Sequence, residues 1–148
     1  MPEYLETTVD KFVFHVATDR LYGADGVWVQ AQDGRVRVGV TDYVQQRNGD
    51  VAFAHIKPIG TTLTAGDELA EIETVKANVS LFCPIGGTVV EVNGNLERSP
   101  EIINDSPYDK GWLAVIKATD WEGERATLLD ADAYLATIQS QAQQELNG

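Results

Sequence analysis

The chain has 148 residues, of which 43% are hydrophobic, and this is enough to bury one sizeable core but hardly two. Its 23 acidic side chains outnumber 11 basic ones, and the formal net charge of −12 opposes binding to nucleic acid or to an anionic membrane. A single cysteine, Cys83, excludes an internal disulfide and a cysteine-rich metal site.

Short alternating runs of apolar residues predict a mainly β protein. Residues 11–16 alternate, with Phe12, Phe14 and Val16 on one face, and they follow a leader, residues 1–10, that we expect to be flexible. The sequence Asp33-Gly34 is a strong turn signal, so the two runs beside it should form a hairpin. The predicted strands cover residues 11–16, 27–31, 35–40, 51–56, 67–72, 79–83, 89–92 and 112–117.

Capping residues predict three short helical regions. Thr41-Asp42 precedes residues 43–47, which Asn48-Gly49 should end, and Ser99-Pro100-Glu101 should start a second helix. Asp130 or Asp132 can cap a C-terminal helix, followed by a frayed tail through Gly148. The face of this helix that packs on the strands should carry Tyr134, Leu135, Ile138 and Ala142. We expect residues 11–148 to form one domain, with a helical addition at about residues 122–146.

Lys76 stands between two predicted strands, residues 67–72 and 79–83, and is therefore a candidate for the tip of a hairpin. The turn lacks the Asn-Gly or Asp-Gly pair that marks the commonest hairpins. A lysine at such a tip is solvated and open to acylation by another enzyme. Spacing alone does not separate this role from that of an ordinary exposed loop lysine.

The residues around Lys76 resemble a known attachment site. Glu73-Thr74-Val75-Lys76-Ala77, followed by Cys83-Pro84-Ile85-Gly86-Gly87, closely resembles the lipoylation hairpin of the glycine cleavage system H protein family. The resemblance runs roughly from Val27 to Tyr134 and includes, in the family's order, Gly39-Val40-Thr41-Asp42-Tyr43, Ala65-Gly66-Asp67, Ser99-Pro100-Glu101-Ile102-Ile103-Asn104 and Gly111-Trp112-Leu113. It implies a mainly β, barrel-sandwich hybrid fold with short helices and a C-terminal helix.

The same resemblance implies a carrier protein and not an enzyme. Lys76 is expected to hold lipoic acid in amide linkage. The enzyme that attaches it is expected to recognise the hairpin through Glu73, Thr74, Val75, Ala77 and Gly87. The sequence shows neither a signal peptide nor an apolar run long enough to span a membrane, so we expect a cytoplasmic protein.

Two departures from the family bear on the pathway. Glycine cleavage H proteins usually carry His-Glu-Trp where this chain has Gly26-Val27-Trp28, and an aspartate where it has His55. The segment Thr18-Asp19-Arg20-Leu21-Tyr22 resembles instead the lipoate-binding proteins of bacterial sulfur oxidation. On this basis we favour sulfur oxidation, with a heterodisulfide-reductase-like complex and dihydrolipoyl dehydrogenase as partners.

Several alternatives stay open. The first is a glycine cleavage H protein that carries the aminomethyl intermediate between glycine decarboxylase and aminomethyltransferase, and the second is an unmodified interaction module. A biotin carrier is disfavoured because no methionine flanks Lys76, and 2-oxoacid dehydrogenase lipoyl domains usually show Asp-Lys-Ala. His15 and His55 stand alone in sequence, so a metal pair is not indicated. Cys83 is expected to be a small core residue, and Glu71 beside Glu73 to be solvated.

Overall fold

The structure is a computed structural model that describes residues 3–147, and it is mainly β, as predicted. The strands are β1 Tyr4–Val9, β2 Phe12–Ala17, β3 Leu21–Tyr22, β4 Val27–Gln32, β5 Arg35–Val40, β6 Val51–Ile56, β7 Thr62–Leu63, β8 Glu68–Thr74, β9 Asn78–Phe82, β10 Gly87–Val92 and β11 Ala114–Ala118. The helices are α1 Asp42–Asn48, α2 Ile102–Asp105, α3 Trp121–Glu124 and α4 Ala131–Asn147, and Gly94–Glu97 and Arg125–Thr127 form 3-10 turns. Within residues 3–147, every helix is too short or too polar to cross a membrane.

Two sheets enclose the larger of two apolar cores. One has six strands in the order β3-β4-β5-β11-β10-β7, and the other has three in the order β6-β8-β9. Apolar residues that alternate along these strands point into the space between the sheets, as the period of two requires. Fully buried members of this core include Val38, Ile72, Cys83, Val89 and Ile116. This packing fixes β8 and β9 on the larger core, and it therefore fixes the position of the turn between them.

The N-terminal residues are a strand, and the expectation of a flexible leader over residues 1–10 is wrong for the part that the structure describes. β1 pairs with β2 along its whole length, from Tyr4 opposite Ala17 to Val9 opposite Phe12. Asp10 adopts a positive φ of 56° at the reversal. Val9 is buried in the second core, which compensates for the ordering of the strand. Met1, Pro2 and Gly148, where the leader and the tail were also expected, lie outside the described residues.

The second core joins β1 and β2, called here the N-terminal hairpin, to the last helix. Tyr22 and Tyr134 stack with their ring centroids 4.5 Å apart. The Tyr134 hydroxyl lies 2.8 Å from Thr41 Oγ1, and burial raises the pKa of Tyr134, so the group stays protonated. Since Thr41 also accepts a hydrogen bond from Val44 N and caps α1, this contact ties α4 to the start of α1.

Helix boundaries follow the capping signals in two cases out of three. Thr41 caps α1, and Asp130 caps α4 by accepting a hydrogen bond from Ala133 N at 2.8 Å. The prediction for Ser99 is wrong, because α2 begins only at Ile102 and Ser99 contributes its backbone carbonyl, which accepts from Ile102 N. Pro100 and Glu101 belong to a turn that precedes the helix, in which Ile103 N donates to the Pro100 oxygen. The helix is therefore shorter than predicted.

Gly87 lies where β10 crosses between β7 and β11. It pairs with Leu63 on one side and Ala118 on the other. A Cβ at this position would lie 2.3 Å from the backbone oxygen of Lys117 and 2.7 Å from Ile116 Cγ2. The glycine is therefore required by close packing of two strands.

We predict that Gly87→Ala lowers the free energy of unfolding by roughly 1–3 kcal/mol, because the strands must separate to admit the methyl group. Gly94→Ala is the matched control, since a Cβ there meets nothing within 4 Å, and it should change stability by less than about 0.5 kcal/mol. Urea denaturation measures both values. Equal stability of the two variants would contradict the packing argument.

Candidate functional site

Lys76 lies at the tip of the hairpin formed by β8 and β9, and its side chain is exposed. β8 ends at Thr74 and β9 begins at Asn78, so three residues make the connection. The adjacent Val75 is 72% exposed, which is high for an aliphatic side chain. The tip therefore offers a lysine and an apolar neighbour to a macromolecule that approaches from solvent.

The Thr74 hydroxyl organises residues 74–77, called here the lysine turn. It donates a hydrogen bond to the Ala77 backbone oxygen at 2.8 Å and accepts from the amides of Lys76 and Ala77 at 3.3 and 3.1 Å. Thr74 N also donates to the Ala77 oxygen, at 2.9 Å. A threonine side chain thus supplies the bonds that an Asn-Gly turn takes from its backbone, which explains why the turn forms without that pair.

A neighbouring loop braces the lysine turn from outside. Val75 N donates to the Asp50 backbone oxygen at 3.2 Å. Asn104 holds that loop in place, because its Oδ1 accepts from Val51 N at 2.9 Å and its Nδ2 donates to the Gly49 oxygen at 3.0 Å. The hydrogen bonds run from α2 through the loop to the turn, so the lysine is displayed on a fixed support.

The Lys76 amine meets the C-terminal end of α1. Nζ donates to the Arg47 backbone oxygen at 3.1 Å, in the last turn of that helix. Carbonyls at a helix C-terminus lack partners inside the helix and carry partial negative charge, which favours an ammonium group there. The contact is exposed to solvent, and it directs the side chain toward α1 without burying the amine.

Glu73 pairs with His55. Their side chains meet at 2.9 Å between Oε2 and Nε2, and both are partly exposed. In the strand register, His55 of β6 lies directly opposite Glu71 of β8, two residues before Glu73. An exposed pair of this kind contributes little to stability, but it occupies one oxygen of the carboxylate that lies beside the lysine turn.

The other candidate residues lie away from the turn. Gly87 belongs to the six-stranded sheet, and Cys83 is fully buried in the larger core. Burial raises the pKa of Cys83 to about 11, so its thiol is protonated and unreactive at neutral pH. His15 contacts Glu6 and Asp42, the first residue of α1, whereas Lys76 meets the last turn of that helix. Among residues 3–147, the acidic, histidine and cysteine side chains form no cluster suited to a metal ion.

Sequence reasoning missed Arg47, Asp50 and Asn104 as parts of the site. Arg47 and Asp50 act through backbone oxygens, for which no side-chain motif exists. Asn104 is 53 residues from its partner Val51, so a local pattern does not reveal the contact. The available signal is Asn48-Gly49, which predicts a tight loop but not what it supports.

Comparisons with known proteins agree with one another. The family described as Glycine cleavage H-protein matches residues 20–141. Proteins named glycine cleavage system H protein from Oceanobacillus iheyensis and Serratia proteamaculans are 43% and 44% identical, over 82% and 84% of this chain and 95% and 97% of their own lengths. The crystal structure of a glycine cleavage system H protein from Mycobacterium marinum superposes with a TM-score of 0.76 at 33% identity, covering 82% of this chain and 98% of the other.

We predict that Thr74→Val loosens the lysine turn, because it removes the hydroxyl that makes three of its hydrogen bonds. Amide hydrogen exchange of Lys76 and Ala77, followed by NMR, should accelerate about tenfold. Thr74→Ser is the matched control and should keep the wild-type exchange rates. If valine and serine variants exchange alike, the hydroxyl does not hold the turn.

Proposed function

The chain belongs to the glycine cleavage H-protein family, and we propose that Lys76 is the lysine on which it carries lipoic acid. Members of this family are carriers without catalytic activity of their own, and they hold lipoic acid covalently on a lysine. Their fold is the predicted barrel-sandwich hybrid. The observation that carries the proposal is an exposed amine on a braced hairpin tip.

The lysine turn suits attachment by an enzyme. Acylation requires that the amine reach an activated lipoyl donor, lose a proton and form an amide, so the tip must enter another protein's active site. The exposed neighbours Val75 and Ala77 can enter with it, and Glu73 adds a carboxylate at the base. We assign recognition to these residues together with Thr74, which fixes the turn. We propose that Gly87 contributes to recognition indirectly, because it allows β10 to pack closely between β7 and β11.

When attached, the lipoyl group supplies a cyclic disulfide on a long arm that accepts a substituent or an electron pair at one enzyme and releases it at another. The chain's own tasks are to hold the arm's root on a rigid support and to present one surface to several partners. We propose as partners a lipoate-attaching enzyme, glycine decarboxylase, aminomethyltransferase and dihydrolipoyl dehydrogenase. The cytoplasm is the proposed location.

Glycine cleavage is the principal proposal for the pathway, although residue patterns alone favour sulfur oxidation. The names of the matched relatives support it, since these proteins correspond to this chain over nearly their whole lengths. One feature favours transfer with a heterodisulfide-reductase-like complex as the second candidate. The Glu73 carboxylate is hydrogen-bonded to His55, so it is less available for pairing with a cationic cargo on the arm.

We predict that mass spectrometry of the intact protein from its native host shows the mass increase of one lipoyl group. The Lys76→Arg variant should lack this increase. Arginine keeps the positive charge but offers no amine that forms this amide. Lys57→Arg is the matched control, because Lys57 is also exposed on a strand-edge loop, and it should retain the addition.

A wild-type chain that stays unmodified in lipoate-replete cells contradicts the carrier role and favours an unmodified interaction module. An addition that survives Lys76→Arg and disappears in another lysine variant moves the attachment site instead.

We predict that the purified lipoylated protein is loaded by glycine decarboxylase and supports exchange of labelled bicarbonate into glycine. His55→Asp should raise the loading rate about threefold, since it replaces the imidazole that is hydrogen-bonded to Glu73 with a second carboxylate, and His55→Asn is the uncharged control. Absence of exchange with a fully lipoylated sample favours the sulfur-oxidation candidate.

A further inference from the structure

The six-stranded sheet has an outer face that is covered at one end and open to solvent at the other. The cover is the Trp28 ring, which lies so close over Gly39 that a Cβ there would be 2.4 Å from it. The Arg20 guanidinium stacks on the same ring, 4.6 Å from its centroid, and both residues are buried. Two residues before Gly39 the cover ends, and the Arg37 side chain is exposed.

Three exposed basic side chains occupy the open end, called here the basic face: Arg35 and Arg37 on β5 and Lys117 on β11. They point outward because Val36 and Ile116, which alternate with them, are buried in the larger core. Arg35 lies directly opposite Lys117 in the strand register. Side chains at alternate positions of a strand lie about 7 Å apart and directly opposite ones about 5 Å apart, so the three cations form one patch.

The neighbouring strands do not neutralise the basic face. On β4, both residues opposite the arginines are glutamines, Gln30 and Gln32, and on β11 Arg37 lies opposite Val115. Among residues 3–147, none of the three basic side chains forms an ion pair. Like charges directly opposite each other destabilise a sheet, and this chain has 23 acidic side chains that could separate its 11 basic ones. An arrangement that lowers the stability of the free chain is expected at a binding site.

Trp112 holds one of the cations in place. The Arg37 guanidinium lies over the Trp112 ring, 5.3 Å from its centroid. Stacking attracts the cation to the ring and leaves the N–H groups at the edge of the guanidinium available as donors. A fixed guanidinium loses less conformational freedom when it binds a carboxylate, so Arg37 is the member of the face best prepared for binding.

The surroundings of the basic face favour a narrow anionic partner. Exposed carboxylates lie at its margins, namely Asp33 in the turn before β5, Glu91 on β10 and Asp19, which accepts a hydrogen bond from Gln30. A nucleic acid or an anionic membrane is wide enough to meet these carboxylates, which repel it, as does the net charge of −12. A single extended chain fits between them, and carboxylates at its alternate residues have the spacing of Arg35 and Arg37.

We propose that the basic face is a docking surface for an acidic segment of a partner protein, with carboxylates at alternate positions of an extended chain. Each arginine donates two parallel hydrogen bonds to one carboxylate. Lys117 adds a third positive charge within the distance of about 8 Å over which charges act at physiological ionic strength. The charge of the face, the spacing of its cations and its acidic margins together define this partner.

A partner on the basic face leaves Lys76 accessible. The face points away from the larger core, whereas β8 and β9, which carry the lysine turn, belong to the sheet on the other side of that core. Docking at one surface while the arm reacts at another raises the effective concentration of the arm at the partner's active site. This consequence rests on the proposed function, but the docking itself does not require acylation of Lys76.

Titration of the unmodified full-length protein tests the docking surface. The probe is a short synthetic peptide in which glutamate alternates with threonine, and its control has glutamine in place of glutamate. Amide NMR signals of β5 and β11 should shift to saturation with the glutamate peptide and stay unchanged with the glutamine peptide. Signals of the lysine turn should stay unchanged with both.

Arg37→Gln should weaken binding of the glutamate peptide about fivefold, because it removes the guanidinium that Trp112 holds. Arg98→Gln is the matched control, since Arg98 is exposed next to the 3-10 turn Gly94–Glu97, outside the basic face, and its loss changes the net charge equally. This variant should bind the peptide as the wild type does. Arg37→Lys keeps the charge without the planar fork, so its affinity should lie between those of the wild type and Arg37→Gln.

Three results would overturn the docking surface. They are the absence of saturable shifts with the glutamate peptide, equal affinities of Arg37→Gln and Arg98→Gln, and tighter binding of a DNA oligonucleotide or of phosphatidylserine vesicles at the same residues. The proposed function is tested separately by the lipoyl mass on Lys76. A missing lipoyl group leaves the peptide result standing, and a failed peptide titration leaves the carrier role standing.

Discussion

The display of Lys76 depends on the loop of residues 49–51. The loop gives the Asp50 oxygen to Val75 N, and it is itself fixed by the Asn104 side chain. A hairpin tip without such a support frays, because its few backbone bonds compete with water. The anchor from α2 explains why an exposed tip can be presented in one orientation to several enzymes, each of which must find the same geometry.

The second core gives the site its surroundings. Tyr134 stacks on Tyr22 and bonds to Thr41, so α4 is fixed relative to the start of α1. Asp42, at that same start, accepts from His15 N at 2.9 Å and ties in the N-terminal hairpin. The N-terminal hairpin and α4 are thus both held by contacts at α1's first turn, while Lys76 meets its last turn. One helix of seven residues thus connects the lysine turn to the second core.

Much of this arrangement follows from the sequence. The alternation of Val36, Val38 and Val40 predicts β5, because these residues share the buried face whereas Arg35 and Arg37 on the other face are exposed. Lys76 at a hairpin tip follows from the patterns on both sides of it. β1 does not follow, because Glu6 and Thr7 interrupt the apolar alternation and the strand is stabilised by pairing with β2. Residues that act through backbone oxygens, such as Arg47 and Asp50, leave no side-chain pattern to detect.

Acylation changes which force holds the lysine side chain near α1. As an ammonium group, Lys76 is attracted by the partial charge of the helix terminus, although water screens an exposed contact of this kind. As an amide it loses that attraction and keeps one neutral hydrogen bond, which water can replace at little cost.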